Sequence, residues 1–271
     1  MSVRHWVELD SAGLAAQAVP AAVAVLALGA VEQHGPHLPL GTDTCIADGL
    51  VDAALARCGS DLVVLRLPTL SIGQGIEHAG HVGTLALEPA TFEALIYDLG
   101  ASVARAGLRR LLAFSAHGGN LAALDSAALR LRRDFGLLVV KACYFDFPGL
   151  PETLPEREHR EGLHGGALET ALLMHLAPGA VNQARLGHFA SIEFDALADG
   201  RWLGAENRPA RFAWLAGDLN SAGVCGDARL ASPALGERLA GHYAQCLAEL
   251  IAETAGFPLE RLAPVPPGSQ P

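Results

Sequence analysis

The sequence predicts an α/β protein with a three-layer fold, a mainly parallel sheet flanked by helices, and three observations carry that expectation. Four apolar, β-rich runs recur along the chain, at 23–30, 62–67, 111–115 and 137–144. They are largely continuous instead of alternating, which is how strands buried on both faces read. Stretches with helical rhythm lie between them, giving a β/α repeat.

In chain order, the run at 23–30 empties into VEQHGPHLPLGTD (31–43), a Gly- and Pro-containing loop after which Asp43 is expected to open a helix. Beyond 62–67, Phe92, Leu95, Ile96, Leu99 and Val103 follow the spacing of one helix face, and Gly107 reads as its C-terminal stop. The run at 111–115 turns through AHGGN, where Asn120 is expected to cap a helix extending to about residue 135. After 137–144, segment 145–161 is rich in Pro, Glu and Arg, and segment 186–226 has little periodicity. Both read as loops or short excursions near a site. Pro233 after Ser232 starts a final helix reaching about residue 255. Residues 1–262 are expected to form one domain and 263–271, ending in PVPPGSQP, a disordered tail. There is no internal repeat.

Composition narrows the function. A formal net charge of −10 with a single lysine, Lys141, argues against a nucleic-acid partner, because phosphate backbones demand clustered positive charge. The five cysteines are scattered and never form a C-x-x-C pair, so neither a disulfide framework nor a cysteine zinc site is expected, and a reducing cytoplasm fits. No leader pattern opens the chain and no uninterrupted apolar stretch is long enough for a membrane helix, so neither export nor membrane insertion is expected.

The chemistry-bearing residues gather where the strands end. In open α/β sheets ligands bind beyond the carboxyl ends of the strands. Glu32 and His34 leave the first run two residues apart, so an extended backbone sends both side chains to one side. Asp43 can turn back towards them, and His117 sits at the end of the run at 111–115, with Gly118 and Gly119 permitting close approach of a ligand. Glu169, in EGLHGGALETALLMHL with His164 just before it, is a fifth candidate. Mixed carboxylate and imidazole donors suit zinc, manganese or iron. Each residue also has a plainer reading: Asp43 as a helix cap, His117 as a core histidine, HGGN as a phosphate-cradling helix start. Their coincidence on one sheet edge favours metal, since unpaired charge there would be costly. His37 reads as a residue orienting a ligand or as a polar loop residue, and His175, on a leucine-rich helix, as a packed histidine. No G-x-S-x-G elbow follows a strand, so a serine nucleophile is not expected.

Four stretches, LALGAVEQHGPHLPLGTD, GIEHAGHVGTLALEP, AFSAHGGN and HGGALETALLM, spanning 26–174 in order, resemble the creatininase family of metal-dependent amidohydrolases. The resemblance implies a parallel sheet flanked by helices, a homohexamer, and a pair of divalent metals held by the residues matching Glu32, His34, His117 and a bridging Asp43, with Glu169 completing the set. Two such ions would lower the pKa of a shared water and polarise an amide carbonyl. It further implies His164 as the proton shuttle and Glu169 as a ligand or acid/base. Glu77 and His78 match family residues and are expected at the substrate, together with the Gly118, Gly119 and Asn120 turn, whose N–H groups would face the oxyanion. The sequence departs from creatininase itself. HGGN stands in place of His-Tyr-Glu-Asn, Ala-Gly-His-Val (79–82) stands where Phe-Pro is usual, and the only tryptophans are Trp6, Trp202 and Trp214. The HGGN form looks more like the branch holding a formamide-releasing deformylase and a peptidase that trims a redox-cofactor precursor. A small-molecule amide is therefore the expected substrate, with peptide trimming as the alternative and a phosphate- or nucleotide-binding protein as the non-enzyme rival.

Overall fold

The computed structural model describes residues 2–150, 153–192, 202–206 and 208–264. Five parallel strands form the central sheet in the order β1-β3-β2-β4-β5. They are β1 (Ser2–His5), β2 (Val23–Leu28), β3 (Val63–Arg66), β4 (Arg110–Ser115) and β5 (Leu138–Cys143). The helices that matter for the site are α2 (Thr42–Leu55), α3 (Pro89–Arg105), α4 (Leu121–Phe135), α5 (Glu156–Glu161), α6 (Ala167–Leu176) and α8 (Pro233–Gly256). Two shorter helices are α1 (Ser11–Gln17) and α7 (Ala216–Leu219).

The double burial read from the sequence has a direct structural cause. Along β2, Val23, Val25 and Ala27 pack into one core with α2, α6 and α8, while Ala24, Leu26 and Leu28 pack into the other with α3 and α4. Successive side chains point to opposite faces, so a strand covered on both sides must be apolar throughout. Each fully buried Leu or Val contributes about 1.5–3 kcal/mol, and all six β2 residues are buried.

Strand order explains where a ligand can enter. From β2 the chain crosses through α2 to β3 on one side, then through α3 back past β2 to β4 on the other. Crossovers of one hand running in opposite directions lie on opposite faces, which leaves a crevice at the carboxyl ends of β2 and β4.

Several details differ from the sequence reading. β1 was not expected; it is a four-residue edge strand containing Arg4 and His5, too short and polar to register as an apolar run. Segment 145–161 contains α5, and 186–226 contains two small ladders, β6 (His188–Phe189) with β9 (Gly226–Asp227) and β7 (Leu203–Gly204) with β8 (Ala210–Arg211). Asn120 precedes α4 without donating or accepting a cap bond through its side chain. Gly107 adopts φ +92° one residue beyond the last helical cap, as a helix stop requires. His175 is exposed instead of packed. The tail expected from 263 falls almost wholly on 265–271, outside the described residues.

Candidate metal centre

Three chain segments converge on the crevice. The loop after β2 supplies Glu32 and His34, the first turn of α2 supplies Asp43, and the end of β4 supplies His117. Gly29 brings the first two together: a Cβ there would lie 2.6 Å from Thr44 Cα, so only glycine lets α2 start against the end of β2. The fourth segment is the start of α6, where Glu169 points inward. Its Oε2 accepts from Gly165 N at 2.5 Å and its Oε1 from the Tyr144 hydroxyl at 3.3 Å.

The ligand atoms sort into two overlapping triads. One is Glu32, Asp43 and His117; the other is His34, Asp43 and Glu169. Asp43 belongs to both, and its two oxygens divide between them: Oδ1 lies 3.4 Å from His34 Nε2 and Oδ2 lies 3.6 Å from His117 Nδ1. With that division, one carboxylate could contribute to holding two ions. A third grouping, Glu32, His34 and His164, overlaps both.

Ring nitrogens have their roles set by carbonyls, which can only accept. His117 Nε2 donates to Gln74 O at 2.7 Å and His34 Nδ1 to Glu32 O at 3.3 Å. The remaining nitrogens, His117 Nδ1 and His34 Nε2, are those that face Asp43 and, once unprotonated, could bind an ion. His164 Nε2 donates to Gln33 O at 2.8 Å, which turns its Nδ1 towards Glu32 Oε1, 3.7 Å away.

The residues fit a metal. Glu32 Oε1 and Oε2, His34 Nε2 and Asp43 Oδ2 are buried and have no hydrogen-bond partner. Buried, unpartnered carboxylate oxygens are costly unless a cation compensates them. Burial pushes the Glu32 carboxyl up to about 7. Burial opposes charge on His34 and His117, yet the carboxylates of Asp43 and Glu32 outweigh it and hold both rings well above the ordinary imidazole value. Burial likewise resists charge on Glu169, but His34 draws it down to about 2. Burial, with His34 beside it, lowers His164 to about 4.

The expected substrate residues are distributed around these triads. Glu77, His78, His164, Gly118 and Gly119 line a cleft of about 1250 Å³ above the ligands. Asn120 does not line it. Its side chain is buried and engaged with Gln74 N, Gly29 O and Ser115 Oγ, tying together the ends of β2 and β4 and the 73–75 loop. His37 accepts the orienting role: its Nε2 bonds Gly165 O at 2.9 Å, and Gly165 in turn holds Glu169. Sequence reasoning missed Tyr144 and Glu158. Tyr144 follows β5 at the same sheet edge, so the strand-end rule that singled out His117 could have found it. Glu158, in a charged hexapeptide, gave no such signal; it accepts from Ala167 N and Asp227 N, each at 2.7 Å, and anchors α6.

A parallel α/β sheet with a carboxylate- and imidazole-lined metal site at its switch point defines a class of metallohydrolase, and comparison supplies the family. The creatininase model, described as creatinine amidohydrolase, matches residues 7–251. The mycofactocin precursor peptide peptidase of Mycolicibacterium smegmatis is 30% identical over 219 residues, covering 78% of this chain and 77% of that protein. Creatinine amidohydrolase of Pseudomonas putida is 30% identical over 183 residues, covering 60% and 68% respectively. A solved manganese creatininase superposes with a TM-score of 0.74 at 25% identity, covering 92% of this chain and 97% of that one. The chain belongs to the creatininase family of metal-dependent amidohydrolases.

Proposed function

We propose that this protein hydrolyses an amide C–N bond using two divalent ions, zinc, manganese or iron, held by Glu32, His34, Asp43, His117 and Glu169. The observation that carries this reading is the division of the two Asp43 oxygens between two triads of buried, unpartnered ligands. Ions bound there would supply an activated water and a Lewis acid for the carbonyl. The chain's own groups would do the rest. Gly118 and Gly119 line the cleft beside His117, and their N–H groups would receive developing negative charge on the carbonyl oxygen. His164 is held by Gln33 O with Nδ1 free to take or give a proton at the leaving nitrogen.

The substrate proposed first is a small amide, cyclic or formamide-like. Trimming of a peptide precursor is a second reading, favoured by the cleft, whose volume of about 1250 Å³ exceeds the usual 300–1000 Å³ of small-ligand pockets. Phe145, Phe147, Phe212 and Trp214 line that cleft and offer apolar contact for side chains. The phosphate-binding reading of HGGN fares poorly in these surroundings, because Glu32, Glu77 and Glu169 line the same cleft. Five scattered cysteines, none in a C-x-x-C pair, suit a reducing cytoplasm.

Metal content per chain, measured by mass spectrometry on wild type and Asp43→Ala together, tests the proposal. About two ions in the wild type and clear loss in the variant are expected. A wild type holding no ion after incubation with zinc, manganese or iron would end it. Hydrolysis screens of formamides, cyclic amides and short peptides would then separate the substrate readings.

A further inference from the structure

We infer that Glu77 is a positioning residue for His117, forming the outer carboxylate of a carboxylate–histidine–metal relay, and that position 119 is glycine to leave room for it. This rests on the metal reading above and adds a residue to it.

Segment 74–77 wraps one edge of the His117 ring. Gln74 O accepts from Nε2 at 2.7 Å, and two carboxylates lie beside the same nitrogen, Glu32 Oε2 at 3.2 Å and Glu77 Oε1 at 3.4 Å. The opposite nitrogen, Nδ1, faces Asp43 Oδ2 at 3.6 Å. Nε2 therefore donates to the Gln74 carbonyl with Glu77 on its outer side and Glu32 on its inner side, and Nδ1, which faces Asp43, is the nitrogen that would meet an ion. A carboxylate on the far nitrogen fixes the tautomer and raises the basicity of the ligating one, which a neutral carbonyl alone does less well.

Glu77 is absent from the two triads that share Asp43, so its carboxylate acts through His117. The space it uses is set by residue 119. A Cβ at Gly119 would overlap both Glu77 Oε1 and His117 Nε2, and would come within 3.0 Å of Gln74 O. Gly119 has no need of a left-handed backbone, since its φ is not among the positive ones. Glycine is required here by volume: any side chain would expel the Glu77 carboxylate or tilt the histidine ring.

The test is metal affinity, read by competition between the full-length protein and a chromophoric chelator for Co²⁺, with the Co²⁺ absorption spectrum as a second readout. Glu77→Ala and Glu77→Gln should each weaken one of the two ions about 10- to 100-fold while sparing the other, and Glu77→Asp should recover part of the loss. Gly119→Ala should mimic Glu77→Ala. The melting temperature of the metal-free protein should be unchanged by Glu77→Gln. Wild-type affinity for both ions in Glu77→Ala, or in Glu77→Gln, overturns the relay, as does a fall in metal-free melting temperature that accounts for the loss. A wild type that takes up no ion instead overturns the metal reading on which the relay stands, so the two failures are distinguishable.

Discussion

At the residue scale, the candidate metal centre is a set of ionisable groups held apart from water. His34 and His117 are raised above the ordinary imidazole value by Asp43 and Glu32 against the opposition of burial, and burial raises Glu32 to about 7. The raised values favour protons on His34 and His117, and Glu32 gives up its own near neutrality, whereas metal ligands must be unprotonated. Binding must expel those protons, so metal affinity should rise with pH across the neutral range. Calorimetric titration of metal into the apoprotein, repeated in buffers of different ionisation enthalpy, should show net proton release that shrinks towards alkaline pH. Proton-independent binding would mean that the imidazoles are already neutral.

At the element scale, the site depends on how closely α2 can begin against β2. A methyl at Gly29 would meet the Thr44 backbone at 2.6 Å, so Gly29→Ala should cost about 1–3 kcal/mol of stability by overpacking. Because the displaced turn carries Asp43, it should also weaken metal binding; denaturant titration and chelator competition on the same sample check both. Glu158 is a second such hinge of assembly. Glu158→Ala would leave Ala167 N and Asp227 N without their acceptor, an expected loss of about 1–3 kcal/mol for each buried group. Glu158→Gln, keeping one acceptor oxygen but turning a donor NH2 towards the other N–H, should recover only part of it. These two residues also mark what the sequence could and could not disclose. β2, β3 and β4 were legible because burial on both faces writes a largely continuous apolar run per strand, and β5, an edge strand whose run is broken by the exposed Lys141, by its β-rich composition. Glu32, His34 and His117 were legible because they follow those runs directly. α5 was not, since EREHRE has no apolar periodicity and owes its place to one inward glutamate, nor was β1, whose four residues gain their strand conformation only from pairing with β3. Asn120 was misread as a cap because Asn before a helix usually is one, whereas here tertiary partners claim its side chain.

At the scale of the whole molecule, one exposed apolar loop offers a test of the homohexamer expected from the family resemblance. Among the described residues no helix is long and apolar enough to cross a membrane, yet the 72–85 loop exposes Ile72, Ile76, Val82 and Leu85, with Val82 at 99% and Leu85 at 54%. Monomers seldom leave apolar residues so concentrated in the open. Val82 lies in the Ala-Gly-His-Val stretch that departs from the usual family residues, and Ile76 lines the cleft itself. A neighbouring copy seated on this loop would cover the exposed side chains and close one wall of the cleft, in keeping with the homohexamer that the family resemblance implies. Sedimentation velocity of wild type against Val82→Asp/Leu85→Asp should then show an assembly that the double variant breaks into smaller species, because two buried carboxylates per interface would go unpaired. Activity should fall with assembly if the neighbour closes the cleft, and metal content should not, since all five proposed ligands come from one chain. A wild type that sediments as a monomer would refute self-association, and an unchanged assembly in the variant would place the interface away from this loop.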